Sequence, residues 1–183
     1  MRMPVLETER LILRRWREED REPFFAINSD AEVAYWLGGT TSSLKQSNAT
    51  IERAEASFEA NGFGRWALTR KEDDTLIGCV GMMAVWPGYP FTGVEIGWRL
   101  SRSAWGCGYA SEAARAALAD GFERMRFPEI LAYTTVSNKR SIAVMERIGM
   151  KREAARDFDH PMLPREHPML RHVLYIAKRS HND

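Results

Sequence analysis

The chain has 183 residues, a length that fits one domain whose core needs no disulfide or metal for stability. Its 26 basic and 25 acidic residues nearly cancel, which argues against an extended nucleic-acid surface. Two cysteines are too few for a disulfide framework or zinc cluster. No apolar run is long enough to span a membrane, and no signal-peptide core is present. We therefore expect a cytoplasmic protein with a single domain over residues 1–183.

The first half of the chain predicts one strand, several helices and a hairpin. Alternating leucines and arginines predict the strand, and apolar spacing followed by glycine stops predicts the helices. A charged turn between two apolar runs predicts an antiparallel hairpin. The predicted elements are a strand at Arg10–Trp16, helices at Glu18–Ser29, Ala31–Leu37 and Ser43–Asn61, and strands at Arg65–Arg70 and Thr75–Val85.

The second half alternates strands and helices. An alanine-rich apolar stripe from Ala110 to Met125 predicts a helix that lies close on a sheet, and the strands on either side of it should be parallel. The predicted strands are Gly93–Leu100, Glu129–Val136, Lys151–Phe158 and Arg171–Lys178, with a further helix at Asn138–Ile148. The fold class is therefore α/β (α+β), with one mixed sheet of about six to seven strands and helices on both faces.

A glycine turn carries the clearest chemical signal. Gly106 and Gly108 come directly before the alanine-rich helix. Glycines at a helix N-terminus turn backbone N–H groups toward a ligand and favour an anion, above all phosphate. The alternative is a tight turn that binds nothing. A dinucleotide-binding unit fits poorly, because Ser111 replaces the third glycine and Glu129 begins its strand rather than ending it.

Three separated stretches resemble the GCN5-related N-acetyltransferases, the GNAT superfamily. They are Glu95–Leu100 with Trp105–Ala113, Asn138–Ile142 with Met145–Met150, and Leu6–Arg14. The last resembles the opening of the branch that contains the ribosomal-protein N-terminal acetyltransferases.

The resemblance implies acetyl-CoA as co-substrate and a splayed sheet. The pyrophosphate would lie on backbone N–H groups of Trp105–Ser111, and the pantetheine arm beside Trp98–Leu100. A backbone N–H near Arg99 or Leu100 would face the thioester oxygen and stabilise the developing oxyanion. The residues so assigned to coenzyme A are Trp98, Arg99, Leu100, Arg102, Ser103, Trp105, Gly106, Cys107, Gly108, Tyr109, Ala110, Ser111, Asn138 and Ser141.

Three residues are candidates for catalysis. Glu95 interrupts an apolar strand and is the candidate base for the incoming ammonium; the alternative is a structural carboxylate paired with an arginine. The resemblance implies that Asn138 contacts the cofactor and that Ser141 protonates the leaving thiolate, whereas helix capping would explain both without catalysis. Met145 stands where many relatives have a tyrosine acid, and Ser103 stands where many have glutamine or arginine.

The acceptor side is less clearly marked. In the family, the early helices and the loop before the central strand wall the acceptor site. The candidates for an aromatic acceptor pocket are Tyr35, Trp36, Trp86, Tyr89 and His160, although each could equally be a core residue. The predicted reaction is direct transfer to a primary amine, either a protein N-terminus or a small molecule. We expect no metal, nucleic-acid or membrane partner, and a homodimer is compatible with the sequence.

Other mechanisms and functions fit these residues less well. A helix N-terminus favours the thiolate of Cys107, but no His/Asp partner is readable beside it, so an acyl-cysteine intermediate is disfavoured. His160, His167 and His172 lack a zinc-site spacing, which favours packing or acceptor-pocket roles for them over metal binding. The main alternative function is a catalytically weak module that binds or senses acyl-CoA, and an NAD-dependent dehydrogenase is a further one.

Overall fold

A computed structural model describes residues 5–39 and 41–179. Its strands are β1 (Leu6–Glu7), β2 (Leu11–Arg14), β3 (Arg65–Arg70), β4 (Leu76–Ala84), β5 (Val94–Leu100), β6 (Glu129–Thr135), β7 (Lys151–Arg152), β8 (Phe158–Asp159) and β9 (Arg171–Lys178). Its α-helices are α1 (Arg21–Ser29), α2 (Ala31–Tyr35), α3 (Leu44–Asn61), α4 (Tyr109–Glu123) and α5 (Lys139–Arg147).

The strands form one mixed sheet, as predicted. Among the described residues its order is β1-β2-β3-β4-β5-β6-β9-β7, and β8 also pairs with β9. The β5–β6 pair is parallel and the other pairs are antiparallel. The sheet has nine strands rather than six to seven, because β1 was not predicted and the predicted strand at Lys151–Phe158 is split in two.

A side chain explains why the predicted strand at Lys151–Phe158 is divided into β7 and β8. A short 3-10 helix at Ala154–Arg156 separates β7 from β8. Asp157 follows it, and its carboxylate accepts a hydrogen bond from the Leu174 backbone N–H at 3.1 Å. That N–H lies on β9, so a side chain takes the place of a backbone partner there. The prediction of one continuous strand was therefore wrong.

The sheet opens at its only parallel pair among the described strands. β4 and β5 pair along their whole length, from Gly78 with Leu100 to Ala84 with Val94. β5 and β6, by contrast, are in register only at Glu95 and Leu131. Beyond that point the two strands diverge, which leaves the β5 edge at residues 96–100 without a partner in β6. The splay implied by the resemblance is thus present.

Helices cover both faces of the sheet. Phe24 of α1 and Ile51 of α3 pack with Ala67 and Cys79 on one face. On the other face, α4 lies close because its inward residues are small. Gly121 shows how close, since a Cβ there would lie 2.6 Å from the Ile130 side chain. These contacts bring the start of α4 to the open end of the gap.

The helix ends follow their capping residues. Ser43 caps α3 by accepting the Gln46 N–H, and Gly62 ends the same helix in the left-handed conformation. The predicted helix at Glu18–Ser29 begins later, because Glu18–Asp20 is a 3-10 turn. There Asp20 is held by Arg14 through two hydrogen bonds of 2.7 and 2.9 Å. Over residues 5–39 and 41–179, no helix combines the length and apolarity needed to cross a bilayer.

Candidate active site

A groove of about 1230 Å³ runs through the gap between β5 and β6. Its walls come from α2, the start of α4, α5 and the loop before β9. We call the end at the start of α4 the donor end, and the end around Glu95 the acceptor end. The predicted residues that line the groove are Trp36, Trp86, Tyr89, Glu95, Trp98, Arg99, Leu100, Trp105, Gly106, Gly108, Tyr109, Ala110, Ser111, Asn138, Ser141 and His160.

The donor end is built from backbone. Gly106 and Gly108 have φ values of 77° and 81°, in the left-handed region that favours glycine. Gly108 is also the N-cap residue of α4. Within the described part of the chain, the backbone N–H groups of residues 106–111 donate to no protein group. A Cβ at Gly106 would meet only open space, so the turn leaves room for an anion at a positively polarised helix end.

Residues from the start of the chain hold this turn in place. Arg10 Nη1 donates to the Cys107 carbonyl at 3.1 Å, and its Nε donates to Glu112 at 2.7 Å. The Thr8 hydroxyl donates to the same carboxylate at 2.6 Å. Burial raises the pKa of Glu112, but the hydrogen bonds from Thr8 and Arg10 outweigh it and leave that pKa below its usual value. The sequence did not predict these contacts of Thr8 and Arg10 with Glu112, because no local pattern connects residues about a hundred positions apart.

The start of α5 forms the wall opposite the turn. Asn138 Oδ1 accepts the Ser141 N–H at 3.2 Å, so Asn138 caps the helix as the alternative interpretation holds. Both residues line the groove, where the Asn138 amide NH₂ makes no hydrogen bond to another described residue. Met145 also lines it and is 2% exposed. A thioether therefore fills the position where many relatives have a tyrosine.

A salt bridge dominates the acceptor end. Arg65 Nη2 lies 2.6 Å from Glu95 Oε1, and both side chains are largely buried. Arg65 belongs to β3 and reaches across β4 because its register partners, Gly81 and Gly97, have no side chains. Burial disfavours the Arg65 cation, but the negative charge of Glu95 outweighs it and the pKa of Arg65 is raised. The arginine partner that the alternative interpretation required is thus present, and the role of Glu95 as base stays a prediction.

Aromatic and imidazole side chains surround that salt bridge. The Tyr89 hydroxyl lies 2.8 Å from His160 Nε2, and the His160 and His172 rings are 4.9 Å apart. Burial lowers the pKa of His172 to about 4 and also lowers that of His160. Burial and the Glu95 charge both raise the pKa of Tyr133. The imidazoles are therefore neutral at physiological pH, and Tyr133 keeps its proton. Nothing in the sequence indicated that Arg65 and Tyr133 belong to this site, whereas His172 was among the late histidines expected to pack or to line the acceptor pocket.

Four predicted residues do not line the groove. Arg102 turns toward α2 and pairs with Glu32 at 3.0 Å. The Ser103 hydroxyl lies 3.2 Å from that of Ser101. Cys107 is exposed and directs its thiol to the Trp105 carbonyl, at 3.6 Å. Tyr35 is 48% exposed and packs edge-on against Trp36.

Comparison with known proteins gives the family. The acetyltransferase (GNAT) domain model matches residues 10–151. An uncharacterized N-acetyltransferase of Bacillus subtilis, YoaA, is 30% identical over 151 residues, which cover 82% of this chain and 84% of that protein. The chain belongs to the GNAT acetyltransferase family.

Solved structures agree with the fold. An acetyltransferase from Agrobacterium tumefaciens strain C58 is 27% identical and aligns with a TM-score of 0.78, covering 98% of this chain and 96% of the other. Spermidine N-acetyltransferase from Vibrio cholerae, solved with CoA and spermine, is 16% identical and aligns at 0.71, covering 92% and 95%. At 16% identity, the similarity to the spermidine N-acetyltransferase shows a shared fold only.

Proposed function

We propose that this protein is an acetyl-CoA-dependent N-acetyltransferase that transfers the acetyl group directly to a primary amine while both substrates are bound. One observation carries the proposal: a single groove joins a backbone anion site at one end to a buried, ion-paired carboxylate at the other. The reaction needs a phosphorylated donor and a deprotonated acceptor side by side, and the two ends of the groove match those needs.

The donor end fits coenzyme A. The free N–H groups of residues 106–111 suit a pyrophosphate, and the unpaired β5 edge at residues 96–100 suits the amide-containing pantetheine arm. Lys139 and Arg140 also line the groove at the start of α5, and Arg140 stacks on Trp105 at 4.6 Å. When bound, acetyl-CoA supplies an activated acyl group as a thioester.

Glu95 has the position of a general base. An amine must lose a proton before it can attack a carbonyl, and a carboxylate within reach, directly or through water, can accept that proton. The hydrogen bond from Arg65 fixes the carboxylate in one orientation, while burial of both side chains keeps bulk water away. Binding both substrates in one groove makes the attack effectively unimolecular.

The leaving thiolate needs a proton from a source other than residue 145. Methionine has no proton to give, and Met145 fills the position of the usual acid. Ser141 lies on the same helix and lines the groove, and its hydroxyl makes no hydrogen bond to another described residue. We assign the role of acid to Ser141, with water as the competing source.

The acceptor is a primary amine on a protein N-terminus or on a small molecule. Two arguments support an amine: the resemblance to the ribosomal-protein acetyltransferases, and the Vibrio cholerae neighbour that is named for spermidine. The aromatic side chains of Trp36, Trp86 and Tyr89 line this end of the groove and would pack against the acceptor.

The test is a steady-state assay of CoA release over a panel of amines, with the acetylated product identified by mass. Direct transfer predicts intersecting double-reciprocal plots, and Cys107→Ser should keep full activity. Parallel plots with an inactive Cys107→Ser would indicate an acyl-cysteine mechanism instead. Tight acetyl-CoA binding without transfer to any amine would refute the proposal in favour of an acyl-CoA-sensing module.

A further inference from the structure

One face of β5 carries more positive than negative charge. Alternate residues of a strand point to the same face, so Glu95, Gly97 and Arg99 share one. The Arg65 guanidinium lies over Gly97, where an added Cβ would be 2.9 Å from Arg65 Nη2. Along this face the order is therefore Glu95, Arg65 and Arg99. This face carries one carboxylate and two guanidinium groups, a net charge of about +1.

Within the described ranges, the partners of Arg99 are all neutral. Its Nη1 donates to Asn28 Oδ1 at 2.7 Å, and the Asn28 amide in turn donates to the Ser47 hydroxyl at 2.8 Å. Its Cζ lies 5.7 Å from the centre of the Phe24 ring. Across residues 5–39 and 41–179, no carboxylate comes within 4.0 Å of the Arg99 guanidinium. The charge is therefore held in place, but no residue in the described part of the chain balances it.

The two N–H donors of Arg99 that remain free within the described ranges point in the same direction. Asn28 uses Nη1, which leaves Nε and Nη2 without a partner among the described residues, and Arg99 lines the groove. Nε and Nη2 form the side-on fork that binds a carboxylate through two parallel N–H bonds. Arg124 uses the same two atoms to hold Asp120, at 2.6 Å each.

An unbalanced, partly buried arginine is unfavourable by itself. Burial, together with the positive charge of Arg65, lowers the pKa of Arg99. The other carboxylates that line the groove, those of Glu9 and Glu112, lie at the donor end beside Arg10. An anion brought by the second substrate would supply the missing negative charge beside Arg99.

We propose that the amine acceptor also carries a carboxylate and that Arg99 binds it, an inference that rests on the proposed acetyltransferase function. Arginine is preferred to lysine for such planar, two-point binding. Glu95 and Arg99 are four residues apart on one strand, roughly 13 Å between Cα atoms. The carboxylate and the amine of the acceptor are therefore separated by several bonds, as in an ω-amino acid. A polyamine would instead meet two guanidinium groups of its own charge.

Matched pairs of acceptors test this directly. Unbranched ω-amino acids with one to six methylenes are compared with their carboxamides, which keep the amine and the length but lose the charge. We expect KM to be about 10- to 100-fold lower for the longer acids than for their amides, with similar kcat. In Arg99→Gln that difference should disappear, while Arg17→Gln, which removes an exposed guanidinium paired with Asp74 outside the groove, should retain it. Equal KM values for acids and amides in the wild-type protein would overturn the proposal.

A binding measurement separates this inference from the reaction itself. Calorimetric titration of N-acetyl-6-aminohexanoate and its carboxamide into the CoA-bound protein needs no turnover. We expect the acid to bind more tightly by the same factor, and equal affinities would overturn the inference even in an active enzyme. If no amine is acetylated, the proposed function fails and the titration still decides the role of Arg99. Should Arg99→Gln fail to fold, Arg99→Lys serves instead and should retain only part of the preference for the acid.

Discussion

The two ends of the groove are built by different means. The donor end consists mainly of main-chain N–H groups at residues 106–111 and of an unpaired strand edge. The acceptor end consists of side chains from β3, β5, β6 and the loop before β9, joined by the Arg65–Glu95 salt bridge. A main-chain site depends on backbone conformation and tolerates change in most side chains. A side-chain site depends on the identity of each residue, so it can differ between relatives that bind the same donor.

The largest effect is expected at the acceptor end. Glu95→Gln should lower kcat by about 10²- to 10⁴-fold, the usual contribution of a general base. The loss should be greatest at low pH, where more of the acceptor is protonated. Glu129→Gln is the matched control, because Glu129 pairs with Arg156 at 3.5 Å outside the groove. A pH–rate profile that Glu95→Gln leaves unchanged would remove Glu95 from the role of base.

At the donor end, the backbone itself is the target. Gly108→Val should weaken coenzyme A binding by about 100-fold, or about 2.7 kcal/mol, because valine disfavours the left-handed conformation and crowds the anion site. Gly149→Val is the control, because Gly149 has a similar φ of 85° at the end of α5. Both variants carry comparable backbone strain, so calorimetry with CoA isolates the effect on the site. Retained affinity in folded Gly108→Val would contradict the anion-site assignment.

Ser141 lines the groove at the start of α5, in the wall opposite the glycine turn. Ser141→Ala should slow acetyl transfer by about 10-fold or more, as expected for loss of a proton donor, with little change in the Kd for CoA. Single-turnover rates and equilibrium binding, measured on the same preparation, separate the two effects. Wild-type turnover would exclude Ser141 and leave water as the source of the proton.

Arg10 tests whether the donor turn needs side-chain support. Arg10→Met removes the hydrogen bonds to Cys107 and Glu112 and should weaken CoA binding by about 10-fold, since one charge-assisted hydrogen bond contributes about 1.5 kcal/mol or more. Arg17→Met, which removes an exposed arginine remote from the turn, should leave binding unchanged. Equal affinities for CoA in the two variants would show that the glycines alone hold the turn.

The last prediction concerns stability rather than activity, and it involves the buried imidazole of His172 at the acceptor end. His172 has a pKa of about 4 when folded, against about 6.5 when unfolded. Between these values the unfolded chain binds the extra proton, so the free energy of unfolding should fall as pH decreases from about 6.5 to about 4. The slope is at most about 1.4 kcal/mol per pH unit for one proton. The free energy of unfolding, measured in urea at several pH values, should change less steeply with pH in His172→Gln than in the wild-type protein. An equal pH dependence in both proteins would contradict the lowered pKa of His172.

The sequence predicted what local patterns determine. The bounds of β9, the Asn138 cap of α5 and the glycine turn before α4 each depend on residues a few positions apart, and the structure contains all of them. The break at Asp157 was not predictable in this way, because its partner is the N–H of Leu174, 17 residues later.

The acceptor end shows the same limit more strongly. Arg65 and Glu95 are 30 residues apart, and Asn28 and Arg99 are 71 apart. Such pairs depend on strand register and on the space left by Gly81 and Gly97, neither of which has a local signal. The family resemblance placed the main chain of Arg99 beside the thioester but gave no information about the Arg99 side chain or about Arg65.

The hydrogen bonds from Thr8 and Arg10 to Glu112 also bear on the order in which the molecule is completed. A chain is synthesised from its N-terminus, and the Arg10 side chain is made 102 residues before its carboxylate partner. Contacts of such long sequence separation form slowly, because the intervening loop must close first. The side-chain support of the donor turn therefore cannot form until α4 has been translated. Gain of CoA affinity during refolding would mark the formation of that support.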